Sequence, residues 1–240
     1  MNTTATVENN DASASETKSA TLALSYSSEM LGGLYAVLQH ASKDAVTPVI
    51  TGVLISASTF LATDRYTIGQ WEHEPAGADS TAESIIVPRS AVEWLLKQTL
   101  KALDQARLPE FSSGVGSLST LIVEITETHV SVLWRDGRQE LAVMRYTPIK
   151  GNFPPVDRLI VTALDNAAVD AVPTGLSGSR LVRFANGAKK VCRKDEDVLR
   201  MTGTKTDKPA DSDKPAKPGP VLIQFGEHFT GLIQPNLLLR

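Results

Sequence analysis

The sequence predicts an α+β chain in which antiparallel sheets carry helices on one face. Two observations lead there. One pattern recurs three times: a short strand, an amphipathic helix, then two or three more strands. The helices lie roughly 65 to 85 residues apart, too far for common solenoid repeats. The strand segments are rich in β-branched and aromatic residues in rough alternation, as half-buried strands require.

The first copy comprises LALSY (22–26), a helix near 28–41, TGVLISAS (51–58) and TFLATDRYTIGQWEHE (59–74). The second comprises SIIVP (84–88), a helix near 91–104, LIVEIT (121–126), HVSVLWR (129–135) and QELAVMRYT (139–147). The third comprises AAVDAVP (167–173), a helix near 179–194, VLRMTGT (198–204), VLIQFG (221–226) and HFTGLIQP (228–235).

Local signals mark the helices. Ser90 and Glu93 have capping-box spacing, and Pro88 discourages continuation of the preceding strand. On the second helix Val92, Leu95, Leu96, Ala102 and Leu103 share a side, opposite Glu93, Trp94, Lys97, Gln98, Lys101 and Asp104. On the third, Leu181, Phe184, Ala185, Ala188, Val191 and Cys192 form the apolar face. Arg180, Arg183, Lys190 and Lys194 fall in one arc opposite, with Gly187 inside it. Arg180–Lys194 holds six basic residues and no acid, in a chain of net charge −3. The first helix has only His40 on its polar side, with Lys43 just after.

Two stretches lack anything to bury. Residues 1–20 hold no aromatic, and KTDKPADSDKPAKP (205–218) carries four Lys, three Asp and three Pro. The first is expected to be a disordered tail and the second a mobile loop between strands.

Composition excludes several classes. With 240 residues and 42% apolar content the chain can bury a core, and its longest uncharged runs are too short or polar for a membrane span. A lone cysteine, Cys192, makes no internal disulfide, and a reducing cytoplasmic setting follows as the expectation. His40, His73, His129 and His228 show no metal-ligand spacing, and no P-loop, GxSxG or dinucleotide fingerprint is present. WEHE (71–74) reads as a solvated strand end, GVGS (114–117) as a loop and GLSGS (175–179) as a turn with an N-cap. Cys192 reads as packed. The sequence therefore predicts no enzyme, cofactor or metal. The basic helix face can be solvated or can contact phosphates.

Three segments carry a resemblance. ATDRYTIGQ (62–70), SIIVPRSAVEWL (84–95) and GNFPPVDRLI (151–160) resemble, in order and spacing, motifs of the bacterial DNA polymerase III β subunit, the sliding clamp. TPVITGVLI (47–55) and the terminal GLIQPNLLLR are similar to further strands of that family. The resemblance implies a clamp fold in which 21–160 matches the central domain and 161–240 the second half of the last domain, the first domain being missing. The family's Gly-His pair is Arg65-Tyr66 here, and its terminal methionine is Gln234.

The resemblance also implies a role. Helices of the family line a ring around double-stranded DNA, which would be met here by Arg180, Arg183, Lys190, Lys194, Lys97 and Lys101. A peptide pocket docks DNA polymerase and other clients; carried over, it comprises Ile50, Thr63, Arg65, Tyr66, Ile68, Pro88, Val92, Leu232, Gln234 and Pro235. A clamp loader and a homo-oligomeric ring are implied as partners; with a dozen repeats in the family's ring, three per chain would need four chains, joined head to tail. The rival expectation is a regulatory or decoy module that binds clamp-type peptides without encircling DNA.

Overall fold

The computed structural model describes residues 21–25, 27–74, 83–106, 121–134, 140–168, 175–192, 197–204 and 219–235. The expected tail (1–20) and loop (205–218) lie outside the described residues.

The first repeat is β1 (Thr21–Ser25), α1 (Ser28–Leu38), β2 (Gly52–Ser56), β3 (Thr59–Thr63) and β4 (Thr67–Glu72). The second is β5 (Ser84–Pro88), α2 (Arg89–Ala106), β6 (Leu121–Thr126), β7 (His129–Trp134) and β8 (Glu140–Arg145). A helix not expected from the sequence, α3 (Asp157–Asp165), precedes the third repeat. That repeat is β9 (Ala167–Ala168), α4 (Gly178–Val191), β10 (Arg200–Thr204), β11 (Val221–Phe225) and β12 (Phe229–Ile233). The expected strand over 167–173 is seen only at its first two residues, because 169–174 lie outside the described residues.

Two antiparallel sheets result, ordered β1-β6-β7-β8 and β5-β2-β3-β4-β12-β11-β10-β9. Repeats one and two exchange their first strands: β1 pairs with β6 and β5 with β2. Repeats one and three meet through their last strands, β4 against β12, in register from Phe229↔Trp71 to Ile233↔Thr67. Residues 160 apart in sequence are thus neighbours in one ladder.

Period-two alternation gives the long sheet two apolar faces. Val53, Ile55, Phe60, Ala62, Trp71, Ile223, Phe225, Phe229 and Ile233 face α1, α2 and α4 and are the long sheet's share of the main core. The intervening Leu61, Ile68, Leu222 and Leu232 face the other way, where Val156, Ile160 and Ala163 of the α3 segment cover them. At roughly 25 cal/mol per Å² of apolar area, each such buried aliphatic contributes about 1.5–3 kcal/mol.

α1 lies against β4 and α4, and close approach there depends on glycine. A Cβ on Gly33 would stand 2.3 Å from the Trp71 ring, and one on Gly187 would stand 3.0 Å from both Ala36 Cβ and Phe225 Cζ. Gly187 is therefore buried at the α1–α4 seam, not within a solvated basic arc as its helical position suggested. His40, expected on a polar face, is also buried; the α1 C-terminal turn carries it between Phe184 and Phe229.

The expected capping box is replaced by another device. α2 begins at Arg89, and the Glu93 carboxylate pairs with Arg89 Nε at 2.9 Å. Arg89 also donates to the carbonyls of Leu38 and Ala41 at 3.1 Å. A cation thereby satisfies the free acceptors at the end of α1.

Candidate functional site: a groove at the junction of two repeats

The β3–β4 turn begins with Asp64, whose Oδ1 accepts the Tyr66 amide at 3.1 Å, the Thr67 amide at 2.7 Å and the Thr67 hydroxyl at 2.9 Å. Short acidic side chains at such positions favour tight turns because they satisfy amides that the turn leaves unpaired. Burial alone would raise the Asp64 pKa; the Thr67 amide and hydroxyl, Arg183 and the Tyr66 amide outweigh it and hold the carboxyl below its ordinary 3.8. The turn puts Arg65 at φ 76°, the left-handed region that favours glycine. That strain of about 1–2 kcal/mol is tolerated because the flanking hydrogen bonds over-determine the turn. The Arg65 side chain reaches the Thr47 hydroxyl.

The end of β12 meets this turn. The Gln234 amide donates to the Tyr66 carbonyl at 2.8 Å, and Ile68 lies opposite Leu232 in the ladder. Above them α3 presents Leu159, Thr162, Ala163 and Asn166, and Thr204 and Pro220 close the far wall. The result is a mostly apolar groove of about 290 Å³ with Arg65 and Tyr66 at its lip. Tyr66 is 51% and Leu159 54% exposed, a notable amount of apolar surface left to solvent at one place.

Of the ten residues that the resemblance assigned to a peptide pocket, Arg65, Tyr66, Ile68, Leu232 and Gln234 line this groove. Thr63 is buried beneath it, where its hydroxyl donates to the Thr67 carbonyl at 2.9 Å and accepts the Arg65 amide at 3.1 Å. Pro235 is buried just past β12. Ile50, Pro88 and Val92 do not line it. Pro88 ends β5, three strands from β4 in the sheet order. Val92 is wholly buried in the main core on the opposite sheet face, and Ile50 is buried in the 3₁₀ turn before β2. The α3 wall was missed, although Val156, Ile160 and Ala163 at i, i+4, i+7 mark a helical stripe in the sequence.

The cations expected to meet DNA divide into two groups. Arg183 donates to Asp64 Oδ2 at 2.5 Å, and the Arg180 guanidinium stacks 3.8 Å over the Tyr66 ring. Both brace the groove's lip and do not form one open arc with Lys190, because the stripe they share with Gly187 turns toward the α1–α4 seam. Lys97 and Lys190 stand on either side of α1 and rim a second hollow of about 300 Å³ floored by Leu31, Tyr35 and Leu38. Both are exposed. Lys194 and the Lys101 side chain lie outside the described residues.

Among the described residues no cluster of three His, Cys, Asp or Glu could hold a metal ion, and no helix is long and apolar enough to cross a membrane.

No protein-family profile matches the sequence, and no curated protein does. Solved structures do match. The chain is similar to the β sliding clamp of C. crescentus at 10% identity and TM-score 0.51, over 92% of this chain and 66% of that one. It is similar to the DNA polymerase sliding clamp of Pseudomonas aeruginosa at 12% identity and TM-score 0.51, over 90% and 66%. A third likeness is to the sliding clamp of Bartonella birtlesii bound to griselimycin, at 14% identity and TM-score 0.51, over 91% and 66%. The chain spans about two thirds of those proteins' length, and the likeness establishes the sliding-clamp fold in shortened form.

Proposed function

We propose that this chain of sliding-clamp fold is a non-catalytic, clamp-like subunit of DNA replication. In this reading copies assemble around duplex DNA and hold a DNA polymerase or another client through a short peptide seated in the Tyr66–Leu159–Leu232 groove. The observation that carries the reading is the groove itself. Apolar side chains from β4, α3 and β12 converge on one concave surface at the point where two repeats join, which is how a preformed site captures an extended peptide with a few anchors. Tethering would then act through effective concentration: a held polymerase rebinds its template instead of diffusing away. Lys97 and Lys190 on the helical side supply phosphate contacts without sequence preference. Arg65 adds a positive lip that favours an acidic residue in the client peptide.

The groove is tested by the anisotropy of a labelled, polymerase-derived clamp-binding peptide. Leu159→Glu changes an exposed side chain, so the fold is expected to persist while peptide affinity falls at least tenfold. Unchanged affinity would place client binding elsewhere.

A second reading is a peptide-binding module that does not encircle DNA. It is favoured by the engagement of Arg180 and Arg183 with the β3–β4 turn, which leaves the described helical face with few open cations. Peptide binding without any salt-sensitive duplex binding would select it.

A further inference from the structure

We propose that the hollow between α1, α2 and α4 is a nucleobase site, through which the helical face binds DNA carrying unpaired nucleotides more tightly than continuous duplex. One stripe of α1 builds it. Leu31, Tyr35 and Leu38, at i, i+4 and i+7, lie in line on that helix, and α1 packs against both α4 and α2. Leu31 and Leu38 are 6% and 3% exposed, so the core fixes their places. Tyr35 and, from α2, Leu96 are half-buried and line the same hollow.

The charges are arranged around this apolar centre. Lys97 of α2 and Lys190 of α4 are exposed at the rim, one on each side of α1. The other two charges at the hollow offset each other: Arg89 Nε pairs with Glu93 at 2.9 Å, and Arg89 also donates to the Leu38 and Ala41 carbonyls. The order across the hollow is therefore cation, apolar surface with a tyrosine ring, cation.

Continuous duplex fits only part of that order. It turns its phosphates outward and stacks its bases inside, so it offers anions to the lysines and no flat apolar face to the floor. A single strand alternates phosphate and base, and each internal base has a phosphate on either side. Phosphate, base, phosphate matches Lys97, apolar hollow, Lys190. The hollow of about 300 Å³ admits one planar base, and Tyr35 offers it a ring to stack on. Stacking is tolerant of sequence because every base has a π-face. An acidic peptide would need an acid on each side of a single apolar anchor, a rarer pattern than the regular alternation of a nucleic acid strand. That DNA meets this face rests on the clamp reading; the preference for an unpaired base rests on the apolar floor.

Anisotropy of a labelled oligo(dT) strand and of a blunt duplex, each with wild type and variants, separates the two. Wild type is expected to bind both, and a gapped duplex more tightly than the blunt one. Tyr35→Leu keeps apolar bulk and removes the ring; oligo(dT) affinity is expected to fall about fivefold or more, with blunt-duplex affinity within about twofold. Tyr35→Phe keeps the ring and is expected to stay within about twofold for both. Client-peptide anisotropy on the same samples reports that the variants are folded. On wild type alone, an oligo(dT) strand carrying iododeoxyuridine is expected to photocrosslink to the segment that holds Tyr35, whatever the fate of the variants. Equal affinity for gapped and blunt duplex, an oligo(dT) affinity indifferent to Tyr35→Leu, a crosslink elsewhere, or an Asp-Leu repeat peptide that displaces oligo(dT) from wild type but not from Tyr35→Leu would each overturn the base site. Duplex binding that persists in those cases leaves the clamp reading standing; oligo(dT) binding that depends on Tyr35 without any duplex binding would remove that reading and leave the base site.

Discussion

His40 sits wholly buried between Phe184 and Phe229, and neither ring nitrogen has a hydrogen-bond partner. Burial, reinforced by the nearby Arg183 charge and only partly opposed by Asp64, pushes its pKa down from 6.5 to about 3. The sign follows from proton counts. Between those two values the unfolded chain holds a proton on His40 that the folded chain does not, so stability falls as pH falls through that window. The slope approaches about 1.4 kcal/mol per pH unit from this one group. Thermal melts from pH 6.5 to 4.5 are expected to show a shallower decline for His40→Leu than for wild type. Parallel declines would mean that His40 is already paired or hydrated in the fold. Nearby, Arg183 pairs with Asp64 and donates to the Thr67 hydroxyl at 3.3 Å at the root of the groove's lip, so it acts in the fold before any part in recognition.

At the scale of elements, the three helices and nearly every strand were legible because each carries its own periodicity. Strands 52–56, 84–88 and 121–126 alternate, and helices 28–38 and 178–191 show apolar stripes. What was illegible depended on neighbours. TFLATDRYTIGQWEHE reads as one long strand until Asp64 bends it. DRLIVTALD is a helix nine residues long after two prolines, and its side chains Leu159, at the groove, Val161 and Leu164 are apolar yet exposed, which blurs the stripe. Helical spacing groups the α4 cations in one arc with Gly187, and only the packed structure shows that Gly187 meets Ala36. The resemblance placed Tyr66, Ile68 and Leu232 at the groove. Pro88 and Val92, taken from a neighbouring motif, belong to a far strand and the opposite face. The helical face is expected to bind duplex DNA mainly through Lys97 and Lys190. Lys97→Gln with Lys190→Gln should lower affinity and flatten the log–log salt slope by roughly 0.9 per lysine removed. An unaltered slope would move the DNA contacts off this face.

Across the whole molecule, the three repeats form one continuous arrangement, with repeat one joined to repeat two by strand exchange and to repeat three by a shared ladder. Weak, sequence-independent phosphate contacts suit a sliding subunit because no single contact holds the protein in place. Encirclement makes retention a matter of topology and not of affinity. Ligating a linear duplex into circles in the presence of micromolar protein, then washing in about 1 M salt where phosphate contacts are screened, separates the two. The protein is expected to stay on the circles through the wash and to leave when a restriction enzyme opens them. Circles stripped of protein by the wash, or retention that survives linearisation, would contradict a clamp that surrounds DNA.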